Sequence, residues 1–178
     1  MFQDFGLSFE NVSPQIDETK KEGEDIFAFG ARLAKEKAEK ITPKFSNALV
    51  IGADTSVLCQ GKIMGKPTNQ KEAKEFFSLF LGHPQKVYSF VTVIDLPDKK
   101  YFQFHHCTEI QLYPYPQEIM HHPSVLKNSE QYSGGFSIEK EAGFLVQSIQ
   151  GSYNNVIGFP MEEFLFQSWK NQWLKPVV

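Results

Sequence analysis

The chain has 178 residues, with 18 Lys and Arg against 21 Asp and Glu, a net charge of −3 and 17 Phe. A chain this long buries roughly 70% of its unfolded surface in one core, and its two cysteines, Cys59 and Cys107, provide neither a disulfide framework nor paired zinc spacing. The slightly acidic balance excludes a dedicated nucleic-acid binder, and no apolar run approaches the ~20 residues of a membrane span.

The opening MFQDFG lacks a basic stretch followed by an apolar run, so a soluble, cytoplasmic setting is expected. Repeats, low-complexity tracts and long Pro/Gly/Ser linkers are absent from the sequence, which favours one domain over residues 1–178.

In chain order, Phe9–Val12 reads as a short strand ended by Ser13-Pro14. Ile26, Phe29 and Leu33 then fall at helical spacing within a helix over 24–40, stopped by Thr42-Pro43. Asn47–Gly52 is a short apolar run read as a buried strand. Ser56–Gln60 and Lys62-Ile63-Met64 flank Gly61 as a tight hairpin. Thr68 is the expected N-cap of a helix to about Leu81, with Ala73, Phe76, Phe77 and Phe80 at i, i+3, i+4 and i+7. Two long strands, Lys86–Leu96 and Lys100–Tyr113, follow, joined at Pro97-Asp98. A short helical piece runs to Met120, Phe136–Ile138 is a further short strand, and Glu139–Ile149 fits neither period. Pro160 opens a last helix from Met161 to about Trp173. The order predicts an α/β chain with a mixed sheet that has an antiparallel portion.

Several residues could carry chemistry. Asp54 directly follows the apolar strand, where α/β sheets place ligands, and it could bind a divalent metal, orient a water or simply start a turn. Lys37 lies four residues after Leu33 on the apolar stripe, so it must snorkel or meet an anion. Asp17-Glu18 could join Asp54 around a hard cation, or form a negative patch before the helix. The segment Gly61-Lys62-Ile63-Met64-Gly65-Lys66-Pro67 fails as a phosphate loop, because the glycine spacing is wrong and Pro67 replaces the magnesium-binding hydroxyl. Lys66 could reach a phosphate as a point charge, or sit exposed on the hairpin. The pairs His105-His106 and His121-His122 lack a zinc spacing and read as structural or surface residues.

Taken together, the segments form an ordered series. It runs Asp17-Glu18, Leu33-Ala34-Lys35-Glu36-Lys37-Ala38, Gly52-Ala53-Asp54-Thr55, Gly65-Lys66-Pro67, and then Ile149-Gln150-Gly151-Ser152-Tyr153-Asn154-Asn155-Val156-Ile157-Gly158-Phe159-Pro160. The series resembles the Maf family of nucleoside triphosphate pyrophosphatases, in the form of its dTTP/UTP-type branch. The resemblance implies a curved mixed β-sheet flanked by helices, with a central cleft, related to the inosine triphosphatase fold. It also implies hydrolysis of a nucleoside triphosphate, dTTP/UTP or a modified pyrimidine nucleotide, to the monophosphate and pyrophosphate, a house-cleaning reaction. A divalent cation, Mg or Mn, would assist. By motif match Asp54 takes the acidic catalytic position and Glu18 the second acidic position, both as metal ligands. Lys37 and Lys66 match the phosphate-facing lysines, and Thr55 a position tied to base preference. A homodimer is a further implication.

The chain also departs from the family pattern. It begins after the family's Ser-x-Ser-Pro-Arg-Arg segment, so one strand and a phosphate grip are expected to be missing. The family's Asp-Lys-Ala-Gly run is matched by Gln131-Tyr132-Ser133-Gly134. Glu139 stands where a base-selecting glutamine is expected, and a carboxylate offers no amide donor. Gln85 replaces a histidine. A start set too far downstream would explain only the first departure. The alternative reading is a catalytically impaired nucleotide-binding or protein-interaction relative on the same fold.

Overall fold

The computed structural model describes residues 1–96, 98 and 100–174, with the backbone alone at Glu141. Its main elements are helix α1 (Ile26–Ile41), strands β1 (Leu49–Cys59) and β2 (Lys62–Met64), helix α2 (Gln70–Phe80), strands β3 (Gln85–Asp95) and β4 (Lys100–Leu112), the short helix α3 (Gln117–Met120), strand β5 (Val146–Gln150), the short helix α4 (Tyr153–Val156) and helix α5 (Met161–Lys170). The strands form one five-stranded sheet in the order β2-β1-β3-β4-β5. The α/β class with flanking helices is as expected. The strands themselves run antiparallel rather than mixed: β2 and β5 enter as antiparallel partners of β1 and β4.

Contacts divide the chain into two compact units. The first comprises residues 1–54, 90–106 and those from 159 onward; the second comprises 55–89 and 107–158.

In the first unit, α1 starts at Asp25, whose carboxylate accepts from the Ala28 N–H at 2.8 Å, an N-cap for one orphan donor of the first turn. Its buried face is Ile26, Gly30, Leu33, Ala34, Ala38 and Ile41. β1 approaches this helix closely because Gly52 has no side chain: a Cβ there would lie 2.2 Å from the Ala34 carbonyl oxygen and 2.6 Å from the Ala38 nitrogen. Ala38, Ile41, Val50, Ile94 and Leu96 form one apolar cluster, with Val12 against it. Val91, Val93, Phe159, Met161 and Phe164 form a second. The strand expected over Phe9–Val12 is absent; that segment is irregular, and Val12 is held by packing instead of a ladder.

The second unit is built on α2. Asn69, not Thr68, is its N-cap, accepting from the Glu72 N–H at 3.0 Å. Thr68 instead donates its N–H and hydroxyl to the Glu72 carboxylate, so the two neighbours share the capping work. Ala73, Phe76, Phe77 and Phe80 are buried at the expected helical spacing. They pack with Val57, Met64, Val87, Ile110 and Leu112 into a core separate from the two clusters above. Gln60 and Gly61 turn the β1–β2 hairpin with φ of 49° and 75°, the twist that suits two-residue hairpins. Phe136–Ile138 is not a strand, since no neighbouring strand pairs with it. The ambiguous stretch resolves into a 3-10 turn over Glu141–Leu145 followed by β5. Asp98 lies in the turn between β3 and β4, while Pro97 is outside the described residues.

Candidate active site

In the first unit, three sequence-predicted residues converge. Asp54 lies inside β1, not beyond its end: the strand runs on to Cys59, with Asp54 on the buried side of its alternation. Neither the rim position nor the turn-starting role holds. Its carboxylate accepts from Lys37 Nζ at 2.8 Å, and the same ammonium reaches Glu18 at 2.9 Å. The burial is graded: Asp54 is 9% exposed, the Lys37 side chain 17% and Glu18 57%. Lys37 therefore neither snorkels nor stands alone on its stripe; it meets an anion pair. Burial alone would pull its pKa down, and the Asp54 and Glu18 carboxylates outweigh that, holding it above the ordinary lysine value.

Glu18 belongs to an irregular segment, and Arg32 fixes that segment to α1. The guanidinium donates to the Thr19 carbonyl at 3.0 Å, to both Glu24 oxygens and to Glu36 at 3.2 Å. The Arg32 hydrogen bond holds the Glu24 carboxyl at about 2. Asp17 takes no part in the cluster; its carboxylate accepts from the Thr19 N–H at 2.9 Å, a local turn.

The oxygen donors Asp54 and Glu18 suit a hard cation. Among the described residues no group of three or more His, Cys, Asp and Glu could hold one by itself. Two carboxylates are the protein share with which a magnesium ion is commonly held, the rest of its shell being substrate phosphates and water. The histidine pairs do other work. His121 Nε2 lies 3.1 Å from Ser78 Oγ, and the His105 ring sits 5.3 Å from that of Phe27 and 5.8 Å from that of Phe90.

The remaining three predicted residues belong to the second unit. Thr55, Lys66 and Glu139 all line a cavity of about 210 Å³. Its walls include Val57, Val87, Ile110 and Phe136, and its polar groups include Gln131, Ser133 and Ser137. Among the described residues that line it, Lys66 is the cation and Glu139 the anion. Four residues of the segments that depart from the family pattern, Gln131, Tyr132, Ser133 and Glu139, line this cavity, whereas Gln85 does not. An apolar, partly aromatic pocket with a few polar groups is the usual form of a small-molecule site.

Sequence reasoning missed the polar framework behind this pocket. Ser89, Thr108 and Asn155 are fully buried. Asn155 donates to the Val87 carbonyl at 3.0 Å and to Thr108 Oγ1 at 3.1 Å. Thr108 in turn donates to the Ser152 carbonyl at 3.0 Å. Ser152 caps α4 by accepting from the Asn155 N–H at 3.0 Å. Ser89 and Thr92 are both small hydroxyl residues in the mostly apolar Val87–Ile94 run, so the run by itself does not single out Ser89. Gly52 was quoted only within its motif, and its close approach to α1 leaves no local trace.

No helix among the described residues is long and apolar enough to cross a membrane. The chain is similar to several curated proteins named dTTP/UTP pyrophosphatase. That of Acinetobacter baylyi is 31% identical over 92% of this chain and 88% of its own length. That of Bacillus cereus strain ATCC 10987 is 31% identical over 90% and 78%. That of Dictyoglomus thermophilum is 28% identical over 90% and 84%. The family model described as Maf-like protein matches residues 1–167. With the Asp54–Lys37–Glu18 cluster and the Thr55 pocket built from its ordered motifs, the chain belongs to the Maf-like protein family.

Proposed function

We propose that the protein is a cytoplasmic nucleoside triphosphate pyrophosphatase, hydrolysing dTTP, UTP or related pyrimidine triphosphates to the monophosphate and pyrophosphate. The single observation that carries the reading is the half-buried Lys37 ammonium held between Asp54 and Glu18. Supporting it are the relatives, each named dTTP/UTP pyrophosphatase. The impaired alternative finds no support, since the acidic pair and its lysine stand together.

The chemistry is hydrolysis of the phosphoanhydride between the α- and β-phosphates. A water oxygen forms a bond to the α-phosphorus, the α–β bridging P–O bond breaks, and pyrophosphate leaves with the electron pair. Such a step needs positioning and charge stabilisation more than covalent chemistry. Asp54 accepts the proton of the attacking water. Lys37 turns its charge toward the phosphate oxygens as negative charge moves onto the leaving group. Lys66 adds a second point charge to the polyphosphate. A magnesium or manganese ion on Asp54 and Glu18 would supply further charge neutralisation and orient the phosphates. Thr55 and Glu139 meet the base, within a pocket whose Phe136 and aliphatic walls suit a flat ring.

Product analysis tests this reading. Purified protein with magnesium or manganese and a panel of triphosphates should yield equimolar monophosphate and pyrophosphate from dTTP or UTP. Diphosphate and inorganic phosphate as products, or no turnover of any triphosphate, would overturn it.

A further inference from the structure

Arg32 has no part in the reaction just described, yet it holds the neighbour of Glu18. Residues 13–21 form neither helix nor strand, and Glu18 sits among them, 57% exposed. A carboxylate on such a segment keeps its place only if something outside the segment fixes the backbone, because ordering free chain costs entropy at every residue. The segment meets α1 through Glu18 on Lys37 at 2.9 Å, through the Thr19 carbonyl on Arg32 Nη2 at 3.0 Å, and through Lys21 Nζ at 3.7 Å from Glu36. Glu18 and Lys21 are long side chains standing largely in water, where ion pairs hold little. The Arg32 bond grips the backbone, and both Arg32 and Glu24 are mostly buried.

The guanidinium uses its donors in one plane. Nε and Nη2 donate to the two Glu24 oxygens, Nη2 also donates to the Thr19 carbonyl, and Nη1 reaches Glu36 at 3.2 Å. Glu24 in turn accepts from the Lys21 N–H at 2.8 Å. Residues 19–24 are thereby closed into a loop with both ends on one side chain. On the other side of Glu18, the Asp17 carboxylate accepts from the Thr19 N–H at 2.9 Å. The peptide groups on both sides of Thr19 are thus held, and Glu18 is the residue just before them. A rigid fork meets all these acceptors at once; an ammonium is a point charge on a flexible stem.

We propose that Arg32 is a positioning residue for the Asp54–Lys37–Glu18 site: by closing residues 19–24 onto α1, it sets the Glu18 carboxylate against the Lys37 ammonium. The inference rests on the nucleotide reading above and deepens it. With Glu18 out of place, Lys37 keeps Asp54 alone and the reaction loses its second acidic group.

The test takes two readings on wild type, Glu18→Ala, Arg32→Met and the double variant. One is kcat/KM for UTP with magnesium. The other is the acetylation rate of individual lysines by trace acetic anhydride, without nucleotide, followed by mass spectrometry. An ammonium hydrogen-bonded to two carboxylates reacts only when one lets go, so Lys37 reports the place of Glu18. Lys40, exposed in the last turn of α1, reports the helix itself.

Glu18→Ala should speed Lys37 acetylation about two- to fivefold, the scale of one partly exposed ion pair. Arg32→Met should match it, the double variant should go no further, and Lys40 should keep its wild-type rate. In both single variants kcat/KM for UTP should fall about tenfold, and in the double variant by the same factor and not its square. Arg32→Lys keeps the charge without the fork and should behave like Arg32→Met. It stands in for the methionine variant if that one does not fold.

A Lys37 rate unmoved by Arg32→Met or by Glu18→Ala would overturn the proposal. So would Lys37 and Lys40 speeding up together, the mark of a loosened helix, or losses in kcat/KM that multiply in the double variant. The labelling arm separates the two readings. If no triphosphate is turned over but Lys37 follows the expected pattern, the enzymatic reading fails and this one stands. If UTP is turned over and Lys37 does not respond to Arg32, the reverse holds.

Discussion

In the first unit a lysine ammonium is held by two carboxylates; in the second a threonine hydroxyl is held by a serine and a backbone carbonyl. The two arrangements hold a polar group with different chemical consequences. An ammonium between two anions keeps its charge, because the anions replace the hydration it loses. In the function proposed above, a phosphate would displace one anion without leaving the cation unpaired. A hydroxyl between neutral partners carries no net charge and acquires direction instead. Charge suits the polyphosphate, which is large in charge and poor in shape information. Direction suits the base, which is neutral and distinguished by where its protons sit. Gln131, Tyr132 and Glu139 lie around the second unit's pocket.

The comparison can be broken first at its glycines. Gly52 and Gly65 both belong to the ordered motifs, one in each unit. Gly52→Ala should cost about 3 kcal/mol or more, because its Cβ would meet backbone atoms of α1 that cannot move independently. Turnover should fall with it, since Asp54 is two residues away on the same strand. Gly65→Ala meets nothing within 4 Å and should stay within about 0.5 kcal/mol. Denaturant midpoints of the two variants check the pair. Equal losses would mean that the close approach of β1 to α1 is not what fixes the first unit.

A smaller effect separates the members of the charge cluster. Lys37→Met leaves the buried Asp54 carboxylate without its cation and should cost about 3 kcal/mol. Glu18→Gln removes a half-exposed partner and should cost about 0–1 kcal/mol. The pKa of Lys37 is raised in the folded state, so its contribution is complete below the ordinary lysine value of 10.5 and is lost only as pH rises beyond it. The stability gap between wild type and Lys37→Met should therefore be flat from pH 7 to pH 9. A gap that shrinks across that range would contradict the assignment.

The smallest effect concerns the clamp beneath Glu18. Glu24 titrates at about 2 in the folded state against 4.5 in the unfolded chain. A depressed carboxylate stabilises above its unfolded value and loses that contribution as pH falls toward its folded one. The difference in melting temperature between wild type and Glu24→Gln should be present at pH 7 and shrink between pH 4.5 and pH 2. A pH-independent difference would assign Glu24 a packing role only.

Much of this was legible in the residues, and the misses share a cause. The stripe of Ile26, Phe29 and Leu33, of which Phe29 is only half-buried, and that of Ala73, Phe76, Phe77 and Phe80, follow from helical period alone, and both helices are present. Lys37 was visible as a cation on an apolar stripe, but its partner lies 17 residues away on a strand. Local spacing cannot choose between a lysine that snorkels and one that is paired. The strand expected at Phe9–Val12 failed because four residues carry too little alternation to outweigh tertiary packing. Ser89 is the sharper lesson: its hydroxyl, like that of Thr92 on the same strand, carries no local signal, and its bond to Thr55 is made across 34 residues.

The central claim is that Asp54 is the proton acceptor at the scissile phosphate. The direct measurement is pyrophosphate release from UTP with magnesium by wild type and by Asp54→Asn, an exchange of nearly equal shape, with melting temperatures taken alongside. The account predicts a fall of about 10³-fold or more in kcat, the scale of losing a positioned base and its charge, with the melting temperature shifted by only a few degrees. An Asp54→Asn protein that folds and still releases pyrophosphate within about tenfold of the wild-type rate would contradict it.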